Sequence, residues 1–251
     1  MRIAVIPDTQ VKPGVNTAYL NKIGEYLLEK RPDVIVHLGD HWDMPSLSSY
    51  DVGKRQFEGR RYVNDIEAGN EGMEELLYPI HRHNVRAAAN KKARYTPRKV
   101  FLMGNHENRI NRAVDGDPKI EGAIGVKDLK LEGWEVFDFL DVAIIGGIAF
   151  SHYFVTGVAG RPAATANAQL NKKHMSCIAG HQQGLQIATA HRGDGQRLTS
   201  IIAGSCYEHN EDYLGHQGNK HWRGFLMLHE VNDGQFDLMP VSLDYINKRY
   251  A

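Results

Sequence analysis

Three short apolar runs each stop at a cluster of residues that bind metal ions or carry protons. Residues 2–6 (RIAVI) open through Pro7 onto Asp8-Thr9-Gln10. Residues 33–38 (DVIVHL) end at Gly39-Asp40-His41-Trp42-Asp43, and residues 99–103 (KVFLM) end at Gly104-Asn105-His106-Glu107. Short runs of this kind, rich in Val, Ile, Leu and Phe, suit strands buried on both faces. Between the first two, Asn16-Thr17 offers a helix cap. Tyr19, Leu20, Ile23, Tyr26 and Leu27 then recur at helical spacing up to Lys30, and Arg31-Pro32 stops the helix. Strand, helix and strand in this order form a βαβ unit, which requires parallel strands. Ligands of α/β sheets bind beyond the carboxyl ends of the strands, so the three clusters are predicted to meet on one edge of the sheet.

Residues 44–61 are too long and irregular for an ordinary connection and read as a functional loop. A helical pattern with Met73, Leu76, Leu77 and Ile80 follows from Asp65 to about Arg94, with a break expected near Pro79. The second half changes character. Residues 142–150 resemble two short strands about Gly146-Gly147, and residues 162–173 suit a helix. Residues 176–179, 185–190, 198–203, 225–231 and 236–241 read as strands joined by Gly-rich turns, which favours antiparallel pairing. With no repeat and no linker, the expectation is one α/β domain over residues 1–251. It has a layered sheet core flanked by helices, with a parallel first half and a mostly antiparallel second half.

Composition narrows the function. The chain is 42% hydrophobic and 24% charged, which excludes a disordered chain. Lys+Arg and Asp+Glu number 30 each, so the net charge is zero, which argues against coating nucleic acid by bulk electrostatics. No apolar run is long enough to span a bilayer, and residues 1–8 do not read as a signal peptide. Two cysteines, Cys177 and Cys206, are too few for a disulfide framework and fit a reducing cytoplasm. Thirteen histidines direct attention to metal or acid–base chemistry.

Two more polar clusters follow apolar runs: Ser151-His152-Tyr153 and Gly180-His181-Gln182-Gln183. Singly, Asp8, Asp40 and Asn105 read equally well as turn residues after strands, His152 as a buried hydrogen-bonded histidine, and Gln183 as a surface amide. Together, DTQ, GDHWD, GNHE, SHY and GHQQ resemble the ordered signature of the calcineurin-like metallophosphoesterases. The matched motifs run from residue 8 to residue 183. The loop GDHWDMPSLSSYD and the segment GNKHWRGF are similar to members encoded by bacteriophages, which would place the protein in a host cytoplasm.

The resemblance implies a layered β-sandwich and a pair of divalent ions bridged by Asp40 and a hydroxide. Asp8, Gln10 and Gln183 would complete the first site; Asn105, His152 and His181 would complete the second. Gln10 and Gln183 stand where the family often has imidazole. That makes the first site rich in oxygen and suited to Mn²⁺, with Mg²⁺, Ca²⁺, Ni²⁺ and Zn²⁺ as alternatives; His191 is a further candidate ligand. His106 matches the general acid and Asp43 its orienting partner. Arg109 is a candidate clamp for a phosphoryl oxygen. The implied reaction is in-line attack on phosphorus, with a nucleotide or nucleic-acid phosphodiester as substrate. The rivals are a phosphomonoesterase with the same site and a weakened phosphate-binding scaffold. A homo-oligomer is compatible, and no membrane partner is expected. His41 and Trp42 are expected to pack beneath the site, and residues 207–223 to line a pocket or a subunit contact. The basic residues Arg55, Arg60 and Arg61 would favour a polyanion if they flank the metals.

Overall fold

The computed structural model describes residues 1–251, apart from the side chain of Gln56. The strands are β1 (Ile3–Ile6), β2 (Val34–His37), β3 (Arg98–Leu102), β4 (Glu135–Phe137), β5 (Ala143–Ile145), β6 (Ile148–Ser151), β7 (Cys177–Ala179), β8 (Leu185–His191), β9 (Arg197–Ala203), β10 (Gly224–Asn232) and β11 (Gln235–Ser242). The helices are α1 (Ala18–Lys30), α2 (Tyr62–Ala89), α3 (Asn108–Gly116), α4 (Ala166–Lys173), the single turn α5 (Gly215–Gly218) and α6 (Leu243–Arg249).

Two mixed sheets result. One has the order β11-β10-β1-β2-β3-β4, the other β5-β6-β7-β9-β8. β1, β2, β3 and β4 are parallel, and β10 closes onto β1 antiparallel. The second half carries the antiparallel hairpins β5–β6, β8–β9 and β10–β11. The β6–β7 and β7–β9 pairs are parallel, because the chain crosses over through α4 between β6 and β7 and through the β8 hairpin arm between β7 and β9.

The period-two alternation of β1–β3 builds two cores. Ile3, Val5, Val34, Val36, Leu38, Val100 and Leu102 point into the space between the sheets and meet Ile145, Phe150, Ile178 and Ile201. Ala4, Ile6, Ile35 and Phe101 point the other way, onto α1 and α2. Fully burying one Val, Leu or Ile contributes about 1.5–3 kcal/mol, so both faces of these strands are held by apolar packing.

The α2 helix runs through Pro79 without ending there. Pro79 cannot donate to the Glu75 carbonyl four residues back, and that carbonyl accepts instead from the Asn21 side chain of α1 at 3.4 Å. Gly24 of α1 lies against Leu76 and Pro79, where a side chain would not fit. Three elements had no clear sequence signal: α3, whose only buried residue is Ile110; the three-residue strand β4; and α6, capped by Ser242, which accepts from the Tyr245 N–H.

Trp42 is fully buried and its indole lies on Gly69 of α2. A methyl group at Gly69 would overlap the Trp42 ring, so Gly69→Ala should destabilise the fold by about 1–3 kcal/mol, the usual cost of overpacking. A urea midpoint equal to wild type would show that α2 can move away without penalty.

Candidate active site

The carboxyl ends of β1, β2, β3, β6 and β7 converge. Three of the loops that leave them carry site residues in the left-handed region: Gln10 at φ +43°, Asp40 at φ +49° and His181 at φ +66°. Such conformations cost about 1–3 kcal/mol each in non-glycine residues and persist only where the surroundings over-determine them. Here the surroundings do. The Gln10 N–H donates to the Asp40 carbonyl at 2.9 Å, and the His181 N–H donates to Asp8 Oδ1 at 2.9 Å. Gly39, at φ +90°, lies so close to the Leu102 carbonyl and Gly104 that no side chain could be accommodated.

Glu107 fastens the β2 loop. Its Oε2 accepts from the N–H groups of Asp40 (2.9 Å) and Gly104 (2.8 Å), and its Oε1 from those of His41 (2.6 Å) and Trp42 (2.9 Å). Burial and the neighbouring Asp40 charge push Glu107 up to about 7, against His106 and these N–H donors. Four donors facing two oxygens favour the carboxylate, because an acidic hydroxyl would oppose two of them. Glu107 stands in the GNHE motif, yet its role was not apparent from sequence.

Beneath the loops lies a hydrogen-bond chain with a single consistent proton order. His41 Nε2 meets the Gly69 carbonyl at 2.9 Å and must donate. Its Nδ1 therefore accepts from the Thr9 hydroxyl at 2.7 Å, and Thr9 Oγ1 accepts from His37 Nε2 at 3.3 Å. His37 Nδ1 accepts from the Gly39 N–H at 3.2 Å. Burial holds both histidines neutral, with His41 lowered to about 4. His41 and Trp42 thus pack beneath the site as expected.

Asp40, His152 and His181 bring ligand atoms within 4.8 Å of one another. His152 Nδ1 donates to the Leu38 carbonyl at 2.7 Å, which leaves the Nε2 lone pair pointing into the site. That lone pair faces Asn105 Oδ1 at 2.9 Å and Asp40 Oδ2 at 3.5 Å. Burial holds His152 below its ordinary range and His181 at about 4, so both rings are neutral donors. On the other side of Asp40, the buried Gln10 Oε1 and Gln183 Oε1 have no hydrogen-bond partner, while Gln183 Nε2 reaches Asp8 Oδ2 at 3.4 Å. Burial and the Asp40 charge raise the Asp8 carboxyl well above its usual range. Asp40 is lowered: burial opposes its charge, but His106 and His152 outweigh it. Two orphaned amide oxygens, opposed lone pairs and two buried carboxylates fit divalent cations and fit nothing apolar.

His106 stands beside this set. Its N–H donates to Asp40 Oδ1 at 2.9 Å, its Nε2 lies 3.7 Å from Asp40 Oδ2, and its Nδ1 lies 2.7 Å from Asp43 Oδ1. Burial disfavours the imidazolium, but Asp40 and Asp43 outweigh burial and raise His106 to about 9. Arg109 reaches the same loop: its Nη1 donates to the carbonyls of Asp43 (2.7 Å) and Met44 (3.2 Å), a loop-holding contact at the cleft wall. His191 is not brought to the site. It is exposed at the far end of β8, and an extended strand carries it about 3.3 Å further away with each residue. Cys177 and Cys206 are buried and unbridged.

The site floors a cleft of about 1180 Å³ whose walls come from residues 44–61 and 207–223. Lys54, Arg60 and Arg61 line it; Arg60 pairs with Asp51 at 2.8 Å. Lys12, which had no signal in the sequence, lies 3.2 Å from Asp43 Oδ2.

A sandwich of mixed sheets with carboxylate, amide and imidazole donors gathered at its strand ends has the architecture of a metal-dependent hydrolase. The calcineurin-like phosphoesterase profile matches residues 1–224, and the chain belongs to that family, whose members are metal-dependent phosphoesterases. No curated protein matches it. Among solved structures it is similar to a conserved uncharacterized protein, a predicted phosphoesterase, from Streptococcus pneumoniae TIGR4. Identity there is 11%, over 97% of this chain and 90% of that one, with a TM-score of 0.39. It is also similar to Yfce, a phosphoesterase from E. coli, at 12% identity over 97% of this chain and 100% of that one, with a TM-score of 0.39. Among the described residues, no helix is long and apolar enough to cross a membrane.

Proposed function

We propose that this phosphoesterase is a phosphodiesterase acting on nucleotide-type diesters with a pair of divalent ions, Mn²⁺ being the expected metal. The observation that carries the reading is the size of the cleft. At about 1180 Å³ it exceeds the roughly 300–1,000 Å³ of an ordinary small-molecule pocket, so there is room for a substituent on each side of a phosphorus atom. Asp8, Gln10, Asp40 and Gln183 would hold one ion, and Asp40, Asn105, His152 and His181 the other. When bound, the ions would supply Lewis acidity to the phosphoryl group and lower the pKa of the attacking water.

The chain's own residues do the rest. His106 would deliver a proton from Nε2 to the leaving oxygen, with the Asp43 carboxylate 2.7 Å from Nδ1 on the opposite edge of the ring. Arg109, with Nη1 committed to loop carbonyls, has its other guanidinium nitrogens for a non-bridging oxygen. Tyr50 and Tyr213 line the cleft with 80% and 64% of their surface exposed, ready for a base to stack on. Arg61 supplies positive charge for a polyanion, whereas Lys54 and Arg60 are both paired with Asp51. A cytoplasmic setting is part of this proposal, and the two buried, unbridged cysteines are compatible with it.

Paired assays with bis-p-nitrophenyl phosphate and p-nitrophenyl phosphate, across Mn²⁺, Mg²⁺, Ni²⁺ and Zn²⁺, test the reading. Turnover of the monoester alone would overturn the diester preference. Cleavage of DNA with steep salt dependence would mark a nuclease. Tyr50 is exposed, so Tyr50→Ala should leave folding unchanged. If a base stacks on it, the variant loses about 1–3 kcal/mol, a rise in KM of roughly 5- to 150-fold for thymidine 5′-p-nitrophenyl phosphate. Methyl p-nitrophenyl phosphate, which lacks the base, should be unaffected.

A further inference from the structure

The Asp43 carboxylate is gripped from both sides. Oδ1 lies 2.7 Å from His106 Nδ1, and Oδ2 lies 3.2 Å from the Lys12 ammonium. The same ammonium donates to both oxygens of Glu211, at 2.6 and 2.8 Å. Glu211 is buried and fixed at both main-chain groups: its N–H donates to Asn219 Oδ1, and its carbonyl accepts from Asn219 Nδ2, each at 2.8 Å. His209 Nε2 lies a further 2.6 Å from Glu211 Oε1. Lys12 and Asp43 are themselves set in register, because the Asp43 N–H donates to the Val11 carbonyl at 2.9 Å and the Val11 N–H to the His41 carbonyl at 2.7 Å. None of these contacts involves the metal-type donors.

We infer that Lys12 and Glu211 are a positioning pair for the His106–Asp43 dyad, through which residues 207–223 hold the proton donor in its working orientation. The inference rests on the general-acid reading of His106 given above. A carboxylate with a partner on one oxygen only can turn about its terminal torsion, which is broad and roughly two-fold. With Lys12 on Oδ2 and His106 on Oδ1, the carboxylate plane is fixed and the imidazole tautomer with it. Glu211 keeps Lys12 in place and balances its charge. Without Lys12, the Asp43 and Glu211 carboxylates would face each other with no cation between them, and Asp43 would turn away.

The experiment is a double-mutant cycle of Lys12→Met and Glu211→Gln, read in two ways. The first uses thymidine diesters with either a p-nitrophenyl or an alkyl leaving group. The alkyl alcohol needs protonation and p-nitrophenolate does not. Each variant should lose about 10- to 100-fold in kcat on the alkyl ester and much less on the p-nitrophenyl ester, with KM little changed. Lys12→Arg should restore part of the loss. The second reads the ring ¹⁵N resonances of His106 in metal-free protein, which should shift in both variants. Equal losses on both esters, or an unmoved His106 spectrum, would overturn the inference. Should Lys12→Met fail to fold, Glu211→Gln, which keeps the volume, carries both readouts. If wild type cleaves no phosphoester with any metal, the phosphoesterase reading fails, while the His106 spectrum still decides the positioning pair.

Discussion

Replacing His106 by alanine is expected to lower turnover by about two to four orders of magnitude, the usual contribution of a positioned general acid. Metal affinity should survive the change. The contact that places Asp40 comes from the His106 main-chain N–H, 2.9 Å from Asp40 Oδ1, and alanine keeps that N–H. The proposed donors Asp8, Gln10, Asn105, His152, His181 and Gln183 are untouched. Asp40→Asn should do the converse: it preserves shape but removes the charge between the two donor sets, so Mn²⁺ affinity should fall together with activity. Calorimetric Mn²⁺ titration and kcat on a phosphodiester separate the two effects. Equal residual activity in wild type and both variants would mean that the site does no chemistry and would support a phosphate-binding scaffold.

The second large effect is expected at Glu107. Glu107→Gln is close to isosteric, yet its amide nitrogen would replace an oxygen that accepts two buried N–H groups. Each buried donor left unsatisfied costs about 1–3 kcal/mol, so two cost about 2–6 kcal/mol. That is a large share of a typical total stability of about 5–15 kcal/mol. The urea midpoint should fall sharply with little change in slope, and Mn²⁺ affinity should fall as the Asp40 loop loosens. A midpoint equal to wild type would show that Glu107 already carries a proton, since glutamine mimics the neutral acid.

Much of this site was legible because each cluster directly follows its strand. β1, β2 and β3 announce themselves by apolar runs, and a parallel sheet brings their carboxyl ends to one edge whatever the loop lengths between them. The same logic reached His152 after β6 and His181 after β7. It failed where no local pattern exists. α3 buries one residue, and α2 keeps Pro79 because Asn21 and Gly24 of another helix accommodate it. His191 follows Gln183 closely enough in sequence to be a candidate replacement ligand, but an extended strand takes it away from the site.

By itself, the order of residues determined the family and the sheet edge and nominated the donor side chains, because these depend on periodicity and on chemistry carried within a few residues. Only the tertiary structure decided how the donors are held. Glu107 gathers four N–H groups from two loops, and Lys12 joins Asp43 to Glu211, about two hundred residues away in the chain. The left-handed turns at Gln10, Asp40 and His181 are likewise imposed by contacts between segments. Buried polar groups must find partners wherever the fold puts them, and no spacing rule records a partner that arrives from a distant strand.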